Sequence, residues 1–274
     1  MTTTALPTSL RTSPGHRVPA HASKSQESYA SQLWPREADM LPGVLQHRST
    51  LAPGTGWRAF FEVPGPSGGI VDLVWVRFSQ AALAKRSIRD DVIPDLTAIR
   101  VMHALGKGVP AAELSAYTGV SRGHLMRSAI PRLRAAEWIQ QDGREWRPVR
   151  RFRPVVTHVI TVELKRDNWR TALKQAARHR SASDASWVVL DARRSGAASA
   201  AELPFTHAGI GLCGLSLKSR NSAGSVSTLE ILHPARKNHS VDLAGRAFFG
   251  EHCLSLVRQG SQSGPERLVF GRRA

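Results

Sequence analysis

Residues 159–191 decide the fold, and their sequence is VITVELKRDNWRTALKQAARHRSASDASWVVLD. The stretch starts in an apolar, β-branched strand that we predict over residues 155–164. An amphipathic helix is predicted over 168–179, and a second apolar strand over 185–190. Strand, helix and strand in this order are typical of proteins that build a mixed or parallel sheet with helices on its faces. The sequence therefore predicts an α/β core.

Glu163 and Lys165 lie two residues apart near the end of the first strand. Side chains alternate between the faces of a strand, so these two share one face, while Val162 and Leu164 share the other. An acid and a base in this arrangement have two interpretations. They are either an exposed cross-strand ion pair or part of a catalytic site.

A second acidic residue, Asp72, interrupts an earlier apolar run. Residues 57–63 and 70–76 are rich in aromatic and β-branched residues and flank a Gly/Pro turn, which predicts an antiparallel hairpin. Burial of an unpaired carboxylate in such a strand would cost several kcal/mol. A divalent cation shared with Glu163 would relieve that cost.

Residues 91–150 have a different pattern, with short helical segments followed by a hairpin. Helices are predicted over 94–105, 111–117 and 121–136, with a glycine turn before the third, which Ser121 caps. The sequence around Asp142-Gly143 then predicts a two-stranded hairpin. Arginines crowd this region, which favours DNA over other acidic partners.

The phrase AELSAYTGVSRGHLMRSAIPRL at residues 112–133 resembles the winged helix-turn-helix family. The resemblance implies that the third helix enters the major groove of DNA and that the wing contacts the phosphate backbone. The candidate contacts are Ser121, Arg122, His124 and Arg127 on the helix, and Arg144 and Arg147 on the wing. The alternative is a module that binds only other proteins.

The order of the elements outside this unit resembles the PD-(D/E)xK nuclease superfamily, in particular its repair and resolvase-type members. The resemblance covers roughly residues 57–76 and 155–215, and includes the segment AGIGLCGL at 208–215. It implies a restriction endonuclease-like mixed sheet flanked by helices. About ninety residues separate Asp72 from Glu163, so the winged helix would be an insertion into the nuclease core.

The same resemblance implies a definite site. Asp72, Glu163 and the backbone carbonyl of Leu164 would bind Mg²⁺ or Mn²⁺ through oxygen. Lys165 would orient the attacking water or help to deprotonate it. Gln175, ten residues later on the following helix, would hold the nucleic-acid backbone or Lys165 in place.

A further acidic ligand is left open between Glu37, in a predicted N-terminal helical segment, and Glu62, on the strand before Asp72. Two departures from the family pattern are visible in the sequence. Val71 stands where the family's name has proline, and His179 stands where some members have tyrosine. The histidines form no metal-ligand spacing, and we expect structural or surface roles for them.

The domain organisation follows from these patterns. We predict a disordered basic tail over 1–27, a first part of the core over 28–90 and the winged helix over 91–150. The second part of the core is predicted over 151–260, with a loop at 219–227, and a frayed tail over 261–274.

Composition limits the class of partner and the compartment. The chain has 38 Lys and Arg against 21 Asp and Glu, a formal net charge of +17, and only two cysteines. The charge predicts nucleic acid as the partner, and the cysteine content predicts a reducing, cytoplasmic compartment. No stretch reaches the roughly 18 apolar residues of a membrane-spanning helix. A homodimer would explain cutting of both DNA strands, but no sequence feature encodes it.

The sequence is compatible with two functions from different classes. The first is a Mg²⁺-dependent deoxyribonuclease used in repair or defence. The second is a non-catalytic DNA-binding protein or transcriptional regulator with a degenerate nuclease-like domain, and the intact trio Asp72, Glu163 and Lys165 favours the first. Action on RNA is a third, weaker alternative.

Overall fold

A computed structural model describes residues 33–86, 92–93, 95–221 and 224–260. It also describes the backbone of two short paired strands, Leu268–Val269 and Arg272–Arg273. The predicted basic tail, 1–27, and the remainder of the predicted tail over 261–274 lie outside the described residues.

A six-stranded sheet forms the centre of the fold, and a separate two-stranded hairpin is inserted between its second and third strands. In chain order the strands are β1 (Trp57–Pro64), β2 (Ile70–Phe78), β3 (Ile139–Asp142), β4 (Glu145–Pro148), β5 (Val156–Lys165), β6 (Ala185–Asp191), β7 (Gly211–Asn221) and β8 (Gly224–His233). The order across the large sheet is β1-β2-β5-β6-β7-β8, and β3 pairs with β4.

The large sheet is mixed. Strand β2 runs antiparallel to both of its neighbours, β1 and β5. Strands β5, β6 and β7 are parallel, and β8 runs antiparallel to β7. The parallel part follows from the helix that connects β5 to β6, because parallel neighbours need such a crossover. This confirms the predicted mixed α/β sheet flanked by helices.

The predicted loop at 219–227 is wrong. Strands β7 and β8 continue through most of it, with Ser219 paired to Val226 and Leu217 to Ser227. Its small polar residues suggested a loop, but strand pairing is made by the backbone and does not require apolar side chains where the strands extend past the core.

Among the described residues, three α-helices have more than ten residues, and the others have seven or fewer. In chain order they are α1 (Leu41–Gln46), α2 (Arg48–Leu51), α3 (Gln80–Ala84), α4 (Leu96–Gly106), α5 (Leu114–Thr118), α6 (Arg122–His124), α7 (Ile130–Ala135), α8 (Trp169–Arg180), α9 (Gly196–Ser199), α10 (Glu202–Ala208) and α11 (Leu243–Arg258). A π-helical turn, Leu125–Ala129, joins α6 to α7. In the part of the chain that the structure describes, no helix is long and apolar enough to cross a membrane.

Different parts of the chain cover the two faces of the sheet. One face packs against the N-terminal segment, where Trp34 and Leu41 share a buried cluster with Val162 and Leu164. The other face packs against α8, α10 and α11. Because Val162 and Leu164 face the N-terminal segment, Glu163 between them faces α8.

The inserted unit, residues 96–148, contains α4 to α7 and the β3–β4 hairpin, and it has its own buried cluster. Helix α11 completes that cluster with Ala244, Ala247 and Phe248. The same helix contributes Phe249 and Cys253 to the cluster beneath the sheet. One helix therefore serves two hydrophobic clusters, and the inserted unit is packed onto the core rather than joined to it by its chain ends alone.

A buried ion pair reinforces this connection. Arg86, just after α3, donates two hydrogen bonds of 2.8 and 2.7 Å to the carboxylate of Glu251 on α11. The backbone N–H of Ile93 donates to the same carboxylate at 2.9 Å. The Arg86 guanidinium also stacks over Trp138, 5.0 Å from the ring centroid. The segment that enters the inserted unit is thus tied to α11.

Candidate functional site

Asp72 on β2 and Glu163 on β5 face each other across two neighbouring strands. The antiparallel register pairs Leu73 with Val162, and one more step places Asp72 opposite Glu163. Their side chains are buried, with 6% and 0% of the residue exposed. The Asp72 carboxylate accepts the backbone N–H of Leu164 at 2.7 Å. The prediction that these two acids come together in space therefore agrees with the geometry.

The two carboxylates titrate as a pair that retains a proton at neutral pH. Burial, repulsion by Asp72 and the nearby charge of Glu37 raise the pKa of Glu163 to about 9. Burial also raises the pKa of Asp72 to about 6, although Lys165 and the Leu164 N–H oppose the shift. Two carboxylates this close cannot both ionise at low cost without a compensating cation.

The ammonium group of Lys165 lies close to three oxygen atoms. Its Nζ lies 3.0 Å from the carbonyl oxygen of Leu164, 3.1 Å from Oε2 of Glu37 and 3.8 Å from Oδ2 of Asp72. Burial by itself would lower the pKa of Lys165, but the charges of Asp72 and Glu37 outweigh it, and the pKa is raised. A positive charge is therefore held where three oxygens converge.

Of the two open candidates for a further acid, the structure brings Glu37 to the site. Its carboxylate accepts hydrogen bonds from Lys165 and from the backbone N–H of Arg166, at 3.1 and 3.4 Å. Glu62 lies on β1 between the residues that pair with Leu73 and Val71, and its φ is +51°. The charge of Glu37 is also one of the causes that raise the pKa values of Asp72 and Glu163.

Helix α8 carries two polar side chains, Gln175 and His179, on or near its buried side, and His179 lies beside Glu163. His179 is buried, and its Nε2 lies 3.6 Å from Oε1 of Glu163. Gln175, one turn earlier, is half-buried. Among the described residues, no hydrogen-bond partner is found for Oε1 of Gln175, Nδ1 of His179 or either carboxylate oxygen of Glu163, and all four atoms are buried. Such unpartnered atoms are costly unless a ligand or a proton satisfies them.

His179 becomes a functional candidate through its contact with Glu163, which its sequence context does not predict. It lies on the same buried stripe of α8 as Ala172 and Ala176, and this spacing was visible in the sequence. Burial and the neighbouring Arg178 lower the pKa of His179 to about 4, so the imidazole is neutral at pH 7. Gly65 packs against the ring, and any side chain at position 65 would overlap it.

The predicted DNA contacts lie on the surface of the inserted unit. Ser121 accepts the backbone N–H of His124 and thereby caps α6, as predicted. The other candidates are exposed, and they are Arg122, His124, Arg127, Arg144 and Arg147. A groove of about 440 Å³ separates Arg122 on the helix from Arg144 on the hairpin. Arg147 is already paired with Asp142 across the hairpin, at 2.9 Å.

The site thus consists of two buried carboxylates, a lysine whose ammonium lies among three oxygens, and an adjacent neutral histidine. It lies where the start of β2 meets the end of β5 in a mixed α/β protein. In the described ranges, no three His, Cys, Asp or Glu side chains come together closely enough to hold a metal ion by themselves. No family model, curated protein or solved structure matches the chain.

Proposed function

We propose that the protein is a metal-dependent nuclease that hydrolyses phosphodiester bonds of DNA, with a restriction endonuclease-like core and an inserted winged helix-turn-helix. One observation carries the proposal. The Lys165 ammonium stands among oxygens of Glu37, Asp72 and Leu164, next to a Glu163 carboxylate that has no hydrogen-bond donor among the described residues. Mg²⁺ and Mn²⁺ bind hard oxygen ligands, and such an ion would replace the proton that the Asp72–Glu163 pair retains at neutral pH.

The residues present fit such an ion. Mg²⁺ is commonly held by one or two carboxylates, with water and phosphate oxygens completing its shell, so Asp72 and Glu163 suffice without a third acid. The Leu164 carbonyl would add a neutral oxygen, and Glu37 would be the further acid. A bound ion would polarise the scissile phosphate and stabilise the charge that develops on it.

Lys165 and Gln175 act on the substrate in this proposal. Because its pKa is raised, Lys165 stays protonated and serves as a donor to a phosphate oxygen or to the attacking water, rather than as a base. Gln175 presents an amide whose oxygen has no partner among the described residues, and it would orient a water or the DNA backbone.

The inserted unit supports DNA as the partner. Its three helical segments, glycine turn and hairpin follow the order of a winged helix-turn-helix. Gly119 adopts a left-handed conformation, with φ of +69°, at the turn before the capped third helix. Arg122 and Arg127 project from that helix, and no ion pair engages either of them among the described residues. They would be free to contact phosphates or bases.

The test of the enzyme is cleavage of supercoiled, linear, branched and single-stranded DNA with Mg²⁺ or Mn²⁺, and then with EDTA. We expect metal-dependent cleavage that Lys165→Ala reduces by about 10²–10⁴-fold, the range for a group acting on the reacting atoms. Lys218→Ala, which removes an exposed lysine from β7, is the matched control and should retain activity.

Two results would contradict the nuclease proposal. One is the absence of metal-dependent cleavage of any substrate. The other is equal cleavage by wild type and Lys165→Ala. DNA binding without any cleavage would instead favour the alternative function, a non-catalytic DNA-binding regulator.

DNA binding by the inserted unit makes a separate prediction. Replacing Arg122 and Arg127 by alanine should weaken DNA binding and lower the slope of log K against log salt by about 2, because two phosphate contacts are lost. Fluorescence anisotropy in EDTA, at several salt concentrations, measures this without cleavage. The control Lys85→Ala/Lys218→Ala loses the same charge from other exposed positions. If both double variants lowered the salt slope equally, Arg122 and Arg127 would not belong to the DNA interface.

A further inference from the structure

Helix α8 carries a stripe of positive charge along its exposed side. Arg170, Lys174 and Arg178 are all exposed and lie four residues apart, and the twelve residues of the helix include no acid. At a rise of about 1.5 Å per residue, the three Cα atoms span about 12 Å along the helix axis. We call these three residues the α8 stripe.

Within the described residues, the stripe is not neutralised by acidic side chains, although the Arg170 guanidinium stacks over the Trp169 ring, 4.6 Å from its centroid. Among the described residues, none of the three forms an ion pair with a carboxylate. Arg180, the next basic residue, differs because its guanidinium donates to the carbonyls of Ser183 and Arg236. Like charges spaced four residues apart on a helix repel one another. The stripe therefore weakens the isolated helix slightly, and an external anion would reverse that effect.

The position of the stripe relates it to the carboxylate pair. Successive residues on a helix are separated by about 100° of rotation. Because of this rotation the stripe turns gradually around the helix axis, so that Arg178 lies about 60° from Gln175 and about 100° from His179, the neighbour of Glu163, whereas Arg170 lies on the side opposite His179. The C-terminal end of the stripe is therefore the part that approaches the carboxylate pair. At its C-terminal end the stripe passes the β1–β2 turn, where a Cβ on Gly69 would lie 4.0 Å from Nη1 of Arg178. Glycine at this turn leaves room beside the arginine.

We propose that the α8 stripe binds the phosphate backbone of the DNA strand presented to Asp72 and Glu163, as a second DNA-contacting surface separate from the inserted unit. The inference rests on the proposed nuclease function. Charge complementarity identifies the partner. A DNA strand carries one negative charge per about 3.4 Å of helix axis. Three cations over about 12 Å can therefore face a run of three or four phosphates. The inserted unit would then select or position the DNA, while the stripe would guide the strand to the carboxylates.

The test compares two triple variants of the full chain that lose equal charge. One is Arg170→Gln/Lys174→Gln/Arg178→Gln, and the other is Arg58→Gln/Lys85→Gln/Lys218→Gln, whose three residues are exposed on other elements. DNA binding is measured by anisotropy in EDTA across a salt series, with single-stranded and duplex DNA as separate arms. We expect the stripe variant to lower the salt slope by about 2–3 and to bind at least tenfold more weakly at low salt. The control should change the slope by less than about 1.

The outcomes separate the inference from the proposed function. Equal slopes for the two triple variants would overturn the stripe as a binding surface even if wild type cleaves DNA. Stripe-dependent binding by a protein that cleaves nothing would support the surface and overturn only the nuclease activity. A wild type that does not bind DNA would overturn both. If the triple variant fails to fold, the single variant Lys174→Glu is compared with Lys218→Glu by the same slope.

Discussion

Replacement of Glu163 by glutamine is expected to abolish metal-dependent cleavage and, at the same time, to make the metal-free protein more stable above neutral pH. The activity should fall by at least about 10³-fold, because the variant loses a charged ligand and the electrostatic preorganisation that it provides. The stability should rise because above neutral pH the wild type must either keep a proton on buried Glu163 or bury its negative charge, whereas glutamine is neutral at every pH. A substitution that lowers activity but raises stability indicates a residue that is kept for function and not for folding.

The pH dependence of stability follows from the direction of the shift. The pKa of Glu163 is raised from 4.5 to about 9 in the folded state. The folded protein therefore binds more protons than the unfolded chain between these values, and its stability falls as pH rises through that window. Asp72 adds a similar loss at lower pH, up to its pKa of about 6. The variant Glu163→Gln should lack the loss between about pH 7 and pH 8.5.

Denaturant unfolding of wild type and Glu163→Gln, with and without Mn²⁺, measures this effect. Saturating Mn²⁺ should stabilise only the wild type, by about 2.7 kcal/mol at a hundredfold excess over Kd. The control Glu230→Gln removes an exposed glutamate from β8 and should follow the wild type throughout. Work above about pH 7 avoids titration of His179, whose pKa is lowered. Identical pH profiles for wild type and Glu163→Gln would contradict the assignment of Glu163 as the uncompensated acid.

Glu251→Ala is expected to destabilise the whole protein by about 3–5 kcal/mol, because it leaves the buried Arg86 guanidinium without its carboxylate. The side chains of this pair are 4% and 0% exposed, so water cannot replace the lost partner. The N–H of Ile93 also loses its acceptor. Urea unfolding followed by tryptophan fluorescence would give the free energy of unfolding.

The matched control breaks an exposed ion pair. Asp167 and Arg194 are 57% and 40% exposed, and Asp167→Ala should change the free energy of unfolding by less than about 1 kcal/mol. The wild type should unfold in a single transition, because α11 contributes to the clusters of both the inserted unit and the sheet. Unfolding of the inserted unit at a lower urea concentration than the sheet would contradict a rigid connection between them. Equal losses of unfolding free energy in Glu251→Ala and Asp167→Ala would contradict it too.

The patterns around Asp72 and Glu163 show how far local sequence determines a site. Alternation along a strand fixes Glu163 and Lys165 on one face, and an acid inside an apolar run identifies Asp72 as anomalous. Both are properties of a single strand, so they can be predicted from the sequence before the arrangement of the strands is known. The place of His179 was not predicted, because its role depends on how α8 crosses β5, and a single histidine on an apolar helix face is usually structural.

The N-terminal segment and α11 illustrate what local patterns omit. Glu37 reaches Lys165 across a sequence separation of 128. Its position at the site, in place of Glu62, depends on Trp34, which anchors the N-terminal segment by donating its backbone N–H to Asp191. Helix α11 packs in two clusters at once, and no local pattern in its sequence shows this. Contacts between residues distant in sequence depend on how whole elements pack, and periodicity carries no information about that.

Short-range pattern and composition are therefore enough to predict the main strands, helices and hairpins, the two acids within apolar strands and the basic character of the chain. The packing of whole elements is needed to place Asp72 opposite Glu163, Lys165 among three oxygens and His179 beside Glu163, and to make the inserted unit share a helix with the core. The physical reason is that these contacts arise when elements far apart in the chain bury their apolar faces together, and the burial of those faces sets the distances between the polar atoms they carry.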